Sequence, residues 1–375
     1  MKKALVVAGT ASMIYQFNIP NIKLLQQLGY QVDVACNFVR DYTCTPERVE
    51  ELKKELKAMG VNYYHIDFTR NILKVKDIIK AFRQLKKLVK ENGYEFAHCH
   101  TPMGGVITRT VKIFTHLKVI YTAHGFHFYK GAPKFFWAVY YPIEKFLGHF
   151  TDILITINSE DYASARKRIK AKKIRYIPGV GIDMTKFKRG QGNRDELRKD
   201  LGIPDDKIWV LNIGELIERK NQERLVEAVA NITDVYLTIA GKGPRDERIK
   251  TLASSLGVED RVKLLGFRYD VSELCACADI FALPSLQEGL SMALMEAMAS
   301  GKPCAVSRIR GNVDLLDEQG GALFNPYDVD DIKNKLESVI RSDWKLLGDH
   351  NTEKVKQFDL NRVTDMMREI YREIE

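Results

Sequence analysis

Two carboxylates eight residues apart, Glu288 and Glu296, stand in the stretch E-G-L-S-M-A-L-M-E-A-M-A-S-G-K-P (288–303). An ionised carboxylate offers two acceptor oxygens, so each is either an ordinary surface charge or a group that holds something. The strand-like run D-I-F-A-L-P (279–284) stops just before it, and a helix is expected to begin near Gly289. The first free N–H groups of that helix, around Gly289, Leu290 and Ser291, form a positive end suited to phosphate. Glu288 precedes that end. Glu296 lies about 80° past two full turns, so the two acids need not share one helix stripe. Ala293, Leu294, Met295, Ala297 and Met298 surround Glu296, and a carboxylate on so apolar a helix needs a partner. The plainer alternative is an acid complementing the helix dipole plus a surface glutamate.

Cations stand in a comparable place. The strand I-W-V-L-N-I-G (208–214) runs into G-E-L-I-E-R-K-N-Q, with Arg219 and Lys220 just before the next helix. Guanidinium and ammonium groups in a strand-to-helix loop suit a phosphate, although the pair alone better fits a solvated turn. Strand-ending loops elsewhere carry Gly9-Thr10-Ala11-Ser12, T-A-H-G with His124, G-K-G-P with Gly241 and Gly243, and L-G-F-R with Phe267. A histidine at a strand's carboxyl end, followed by glycine, is better placed for a ligand than an average histidine. No G-x-G-x-x-G follows the first strand, which excludes the usual dinucleotide fingerprint.

Metal chemistry has weak support. Asp328-Val329-Asp330-Asp331 contains an Asp-x-Asp, but it reads as acids at a helix start. In His98-Cys99-His100, strand alternation points the two histidines one way and the cysteine the other, and two ligands make a poor site. Cys275-Ala276-Cys277 is no stronger.

What must position these loops is legible as alternation. Apolar runs at 4–8, 31–36, 96–100, 118–123, 152–157 and 174–178 alternate with helical patterns, and runs at 208–214, 235–241, 262–266, 279–284 and 303–307 repeat the scheme. Continuous apolar strands between helices indicate parallel sheets covered on both faces. The expected fold class is therefore α/β, with two Rossmann-like domains whose parallel sheets face a cleft. The expected boundaries are 1–180, joined by a returning C-terminal helix at about 359–375, and 181–358. The break falls near P-G-V-G-I-D-M-T-K-F-K-R-G-Q-G-N (178–193), and the amphipathic helices at about 329–374 are candidates to fold back across it.

The chain has 375 residues, 45% apolar and 29% charged, with a net charge of +9. Residues 1–180 hold 29 Lys/Arg against 14 Asp/Glu, a net +15, which leaves −6 for the rest. That asymmetry points to an anionic partner for the first half. The six cysteines are scattered without Cys-x-x-Cys, as in a reducing cytoplasm. The start M-K-K-A-L-V-V-A-G-T reads as a strand running into a turn rather than a secretory signal. No segment approaches the roughly 20 apolar residues that span a bilayer.

Together, T-A-H-G (122–125), G-x-L-x-x-x-K-N (214–221), G-K-G-P (241–244) and the two glutamates followed by A-M-A-S-G-K-P resemble the family 4 retaining glycosyltransferases of the GT-B fold. The resemblance spans essentially the whole chain. Y-T-A-H-G-F-H-F-Y-K-G and T-D-I-L-I-T-I-N-S-E-D look closest to the bacterial branch that builds capsular polysaccharide, exopolysaccharide and O-antigen. It implies that Glu288 binds donor-sugar hydroxyls and Glu296 the ribose hydroxyls of a nucleotide. It implies that amides of Gly289, Leu290 and Ser291 hold the distal phosphate while Lys220, with Arg219, neutralises the diphosphate. His124 would face the sugar near its C6 hydroxyl, Gly9 and Thr10 the diphosphate, and backbone near Phe267 the base. Gly241 and Gly243 would let the ligand approach closely. One position departs from the pattern: Glu215 stands where many members carry arginine, so either Arg219 supplies that cation or Glu215 turns away.

The reaction so implied is metal-independent sugar transfer with retention, without a cofactor, from a nucleotide sugar (UDP by family habit) to a polyprenyl-diphosphate-linked sugar. A membrane-surface location fits the residues. Lys74, Lys76, Lys80, Arg83, Lys86, Lys87 and Lys90 share a helical stretch with Val75, Ile78, Ile79, Phe82, Leu85 and Val89. Phe126, Phe128, Tyr129, Phe135, Phe136, Trp137, Tyr140 and Tyr141 cluster with Lys130, Lys134 and Lys145. Basic helices with interleaved aromatics suit an anionic lipid surface on the cytoplasmic side of the cell membrane, although a solvated helix over core aromatics reads the same way. Two other functions share some features. A nucleotide-sugar epimerase of similar architecture would need no acceptor surface. A nucleic-acid-binding protein would use the basic half, but no recognition motif for it is present.

Overall fold

Most apolar runs of the sequence become strands that are buried along nearly their whole length, while those at 174–178 and 262–266 are only half-buried. In the computed structural model, which describes residues 2–39, 44–187 and 192–374, they alternate with helices throughout. The chain divides into two compact units: residues 1–180 with 363–375, and residues 181–362. Residues 188–191 of the expected break lie outside the described residues.

Unit 1 runs β1 (Lys3–Val7), α1 (Ala11–Phe17), α2 (Ile19–Gln27), β2 (Gln31–Cys36), α3 (Pro46–Ala58), β3 (Asn62–His65), α4 (Val75–Asn92), β4 (Phe96–His100), α5 (Pro102–Ile113), β5 (Lys118–Ala123), α6 (Lys134–Gly148), β6 (Ile153–Thr156), α7 (Ser159–Arg168) and β7 (Lys173–Tyr176). Its seven strands are parallel in the order β3-β2-β1-β4-β5-β6-β7. Unit 2 runs α8 (Arg194–Asp200), β8 (Ile208–Ile213), α9 (Gln222–Ala230), β9 (Val235–Ala240), α10 (Asp246–Ser255), β10 (Val262–Gly266), α11 (Val271–Cys277), β11 (Ile280–Leu283), α12 (Met292–Ala299), β12 (Cys304–Ser307), α13 (Asn312–Leu315), β13 (Gly321–Phe324), α14 (Val329–Ile340) and α15 (Trp344–Val355). Its six strands are also parallel, ordered β10-β9-β8-β11-β12-β13. Both units are thus Rossmann-like.

Two features decide where chemistry can sit. Each sheet reverses its winding direction once, between β1 and β4 in unit 1 and between β8 and β11 in unit 2. At such a switch point the adjacent loops run to opposite faces and leave a crevice beyond the strands' carboxyl ends. The second feature is α16 (Leu360–Arg372). Residues from Val363 onward belong to unit 1, whereas α14 and α15 stay with unit 2, so only the last of the expected returning helices returns. The Tyr371 ring packs 6.0 Å from that of Phe96, and the Arg175 guanidinium meets both Glu373 oxygens at 2.9 and 2.7 Å.

The aromatic cluster of unit 1 divides. Phe126 and Phe128, expected on a surface, are buried and stacked with centroids 4.7 Å apart, and Phe128 packs on Trp137 and Tyr141. The outward-facing members are Phe135 on α6, with Ile143 and Phe146 further along the same helix.

Candidate functional site

At the switch point of unit 2, the two loops that carry Lys220 and Glu288 are tied together. The loop after β8 contains a single turn of 3-10 helix, Glu218–Lys220, ending at Asn221, which takes a left-handed conformation (φ 58°). That bend lets the Asn221 side-chain amide donate to the carbonyls of Pro284 and Pro326, at 3.0 and 2.9 Å. Leu286 N–H donates to the Arg219 carbonyl at 2.7 Å. The loop carrying Lys220 and the loop carrying Glu288 are therefore one rigid piece.

Between them, Lys220 Nζ stands 2.6 Å from Glu288 Oε1, and an Arg219 guanidinium nitrogen 3.8 Å from Glu288 Oε2. Glu288 is buried, and burial alone would raise its carboxyl pKa. The charges of Lys220 and Arg219, with the hydrogen bond from Lys220, outweigh that and hold it below its ordinary value. Arg310 Nε donates to the Glu288 carbonyl at 3.3 Å, fixing the backbone as well.

The helix expected near Gly289 begins three residues later, at Met292. Ser291 is its N-cap, accepting from Leu294 N–H at 3.3 Å, whereas Gly289 and Leu290 lack a capping side chain and remain in the loop. The amides of Gly289, Leu290 and Ser291 are thus loop amides rather than the first turn. Glu296 lies on α12, and its carboxylate has no hydrogen bond or ion pair among the described residues. Burial raises it to about 7. The partner that the apolar helix called for is not supplied by the described residues of unit 2.

The glycines of the G-K-G-P turn serve the chain before any ligand. A Cβ on Gly241 would lie 1.9 Å from the Gly214 carbonyl oxygen, and one on Gly243 would lie 2.4 Å from that of Leu216. Their lack of a side chain lets the loop after β9 press against the loop after β8. Glu215 sits at that contact, its carbonyl accepting from Gln222 Nε2 at 3.1 Å, and its carboxylate is joined to no cation among the described residues. Phe267, after β10, is half exposed and packs edge-on against Tyr269 with centroids 5.0 Å apart.

Unit 1 gathers its own residues at its switch point. Thr101, directly after β4, has φ 67° and ψ 152°, a region that glycine fills and side chains avoid. In that conformation its hydroxyl accepts from Gly9 N–H at 3.0 Å and from Gly104 N–H at 3.3 Å. A Cβ on Gly9 would lie 2.8 Å from the same oxygen, so glycine is required there. Thr10 follows, buried, its hydroxyl 3.0 Å from that of Ser12. His124, just past β5, lies with its Nε2 3.0 Å from His100 Nδ1. His98 Nδ1 is 2.7 Å from the Tyr371 hydroxyl and its Nε2 is 2.8 Å from Thr122 Oγ1. Burial lowers the pKa of His124 to about 4; burial, then the neighbouring His124, lowers that of His98 to about 3.

The sequence reading missed Asn221, Thr101 and His100 as site builders. Asn221 lay inside a quoted motif. The histidine alternation was visible, but nothing local revealed a partner on the next strand. Among the described residues no three His, Cys, Asp or Glu side chains converge as metal ligands. Asp328 instead caps α14, accepting from the N–H groups of Asp330 and Asp331.

Comparison with known proteins agrees with this architecture. Residues 22–185 match the family model described as Glycosyltransferase Family 4, and residues 193–356 the model described as Glycosyl transferases group 1. The chain is 32% identical to EpsD of Bacillus subtilis, over 99% of this chain and 96% of that one. It is 31% identical to the UDP-Gal:alpha-D-GlcNAc-diphosphoundecaprenol alpha-1,3-galactosyltransferase of Escherichia coli, over 80% and 81% of the two chains. Its fold matches sucrose-phosphate synthase from Thermosynechococcus elongatus with a TM-score of 0.81 at 20% identity, covering 100% and 99% of the chains. With identity sustained along nearly its full length and both halves matched, the chain belongs to the family 4 glycosyltransferases of the GT-B fold and is an enzyme of sugar transfer.

Proposed function

We propose that this glycosyltransferase moves a hexose or N-acetylhexosamine from a UDP-sugar to a polyprenyl-diphosphate-linked sugar, with retention and without a metal, in bacterial surface polysaccharide synthesis. The observation that carries the reading is the Lys220–Glu288–Arg219 cluster at the switch point of unit 2. A sugar diphosphate needs cations where its leaving group gathers charge, and a fixed carboxylate where sugar hydroxyls dock. Lys220 and Arg219 take the first task and Glu288 the second. Glu296, which has no hydrogen-bond or ion-pair partner among the described residues, is free to accept from the two ribose hydroxyls. Gly289, Leu290 and Ser291 offer backbone N–H to the distal phosphate. Phe267 and the backbone beside it meet the base; within unit 1, Gly9 and Thr10 are suited to phosphate and His124 to a sugar hydroxyl. Glu215 stays clear of the phosphates.

The acceptor and location follow from unit 1. Leu73, Val75 and Ile79 are exposed at the start of α4 among Lys74, Lys76 and Lys80. Phe114 at the end of α5 is exposed beneath Lys86 Nζ, 4.5 Å from its ring centre, and α6 exposes Phe135 and Phe146. Helices α4, α5 and α6 pack in succession. Apolar side chains fringed by lysine suit the interface of an anionic bilayer, the place of a polyprenyl acceptor. No described helix is long and apolar enough to cross a membrane. The relative from Escherichia coli is named for a diphosphoundecaprenol acceptor and a UDP donor, which supports both assignments.

The test is transfer from a panel of UDP-, GDP- and ADP-sugars to synthetic polyprenyl-diphosphate sugars, with and without EDTA. The expected result is a UDP-sugar turned over only with acceptor and unaffected by chelation. Interconversion of the sugar without acceptor would instead mark an epimerase.

A further inference from the structure

We infer that His100 is a positioning residue that holds His124 as the neutral Nδ1–H tautomer. It rests on the preceding reading only for its consequence, that the nitrogen aimed at the donor sugar is a hydrogen-bond donor.

The geometry leaves two choices. His100 Nδ1 and His124 Nε2 are 3.0 Å apart, and two neutral imidazoles so joined must comprise one donor and one acceptor. An imidazolium pair would present two N–H groups to each other, and burial, with His98 and His124 beside it, keeps His100 far from protonation. His100 is 2% exposed, and its other nitrogen, Nε2, has no partner among the described residues. If His124 donated, the single proton of His100 would sit on that Nε2, as a buried N–H without an acceptor. If His100 donates from Nδ1, its Nε2 is only a bare lone pair. Buried donors left unmatched are rarer than unmatched acceptors. The second arrangement therefore holds, and since His124 Nε2 then accepts, the His124 proton sits on Nδ1.

The surroundings keep His100 in place to do this. His98, bonded at both ring nitrogens to Tyr371 and Thr122, lies against it with ring centroids 4.1 Å apart. Thr101, next in the chain, is pinned through Gly9 and Gly104. The His100 ring is confined by packing on one side and by its own backbone on the other. Histidine exposed to water favours the Nε2–H form, so the assigned tautomer is one that His124 would not adopt unaided.

Two-bond nitrogen–proton correlation spectra of the full chain labelled with 15N-histidine report the tautomer directly, with His124 identified by its loss in His124→Asn. The expected wild-type pattern is Nδ1–H. In His100→Leu it should change to predominantly Nε2–H, and in His100→Asn, whose side-chain amide replaces the Nδ1–H donor, the wild-type pattern should persist. Turnover should fall about tenfold, the equivalent of one hydrogen bond, in His100→Leu with KM little changed, and recover in His100→Asn. An Nε2–H pattern for His124 in the wild type overturns the inference even if His100→Leu fails to fold, and so does an unaltered tautomer in a folded His100→Leu. A tautomer change without loss of turnover supports the positioning role and counts against the placement of the donor sugar at His124.

Discussion

Lys220 Nζ lies 2.6 Å from Glu288 Oε1, so before any donor arrives the cation assigned to the leaving group is already bonded to the carboxylate assigned to the sugar. Neither is idle. Glu288 is buried and keeps its charge because Lys220 and Arg219 stand beside it. Removing one partner of a buried pair strands the other. Lys220→Ala should therefore lower kcat by roughly 10²–10³, the scale of losing an oxyanion donor, and also weaken unit 2 by a few kcal/mol. Lys220→Ala combined with Glu288→Gln should recover much of the stability lost in Lys220→Ala and none of the activity. Thermal unfolding and steady-state rates on the four proteins of the cycle separate the two effects, and near-normal turnover in Lys220→Ala would remove the leaving-group assignment.

Glu296 should trade stability for binding. Burial raises its carboxyl to about 7, above the ordinary 4.5 of the unfolded chain. A carboxyl raised on folding is harmless while protonated and destabilises as pH climbs from about 4.5 through 7. At pH 8 the ionised group should cost about 1–3 kcal/mol. Glu296→Gln should then melt several degrees above wild type at pH 8 and at nearly the same temperature at pH 4.5. UDP affinity should behave oppositely. It should fall in the variant and, in the wild type, weaken up to tenfold per unit as pH drops below 7, as calorimetry at several pH values would show.

The neighbouring histidines His98, His100 and His124 of unit 1 give the reverse sign. Their folded pKa values lie below the ordinary 6.5, at about 4 for His124 and about 3 for His98, because burial disfavours the imidazolium. The stability at stake is whole above pH 6.5 and is lost as pH falls, since the unfolded chain takes up protons that the folded chain refuses. Well below pH 6.5 each histidine contributes about 1.4 kcal/mol per pH unit. Hydrogen exchange at β4 and β5 between pH 7 and 5 should show this slope, reduced by about one-third in His124→Asn.

Thr101 and Gly9 should be coupled. The Cβ introduced by Gly9→Ala would press on Thr101 Oγ1 at 2.8 Å. That change should cost about 1–3 kcal/mol of unit 1 stability. Thr101→Gly removes the obstructing oxygen and relaxes the φ of 67°, but frees the Gly9 amide. Adding Gly9→Ala on top of it should therefore cost much less than in the wild type. Additive effects would mean that the two loops do not constrain each other.

Membrane association should depend on exposed apolar side chains together with charge. Replacing Leu73, Phe135 and Phe146 by serine should release the protein from vesicles containing anionic lipid without altering transfer to a short-chain soluble acceptor. Equal flotation with neutral and anionic vesicles would argue against the surface.

Nine of the eleven strands that the sequence revealed lie inside the sheets, where both faces are covered and apolar residues run on; β7 and β10 are edge strands, legible because I-R-Y-I and V-K-L-L still carry apolar residues. The two that went unnoticed, β3 and β13, are four-residue edge strands. Three of the four β3 residues are exposed, so N-Y-Y-H carries no apolar signature. The sequence places the start of α12 three residues early, at Gly289 rather than Met292, although Ser291 is the residue whose hydroxyl can cap it. Glu288, Lys220 and Arg219 could be named in advance because they flank strand ends. The bond between His100 and His124 could not be, since it depends on register across β4 and β5, where His100 pairs with Thr122.

The return of α16 to unit 1 bears on how the polypeptide is made. Phe96 and His98 are translated early, yet the Tyr371 side chain that covers one and bonds the other emerges only after all of unit 2 has been synthesised. During elongation the first lobe must wait with that flank of its sheet uncovered, and a ribosome stalled within the last turns of α16 would hold an enzyme whose histidine stack has not yet been locked.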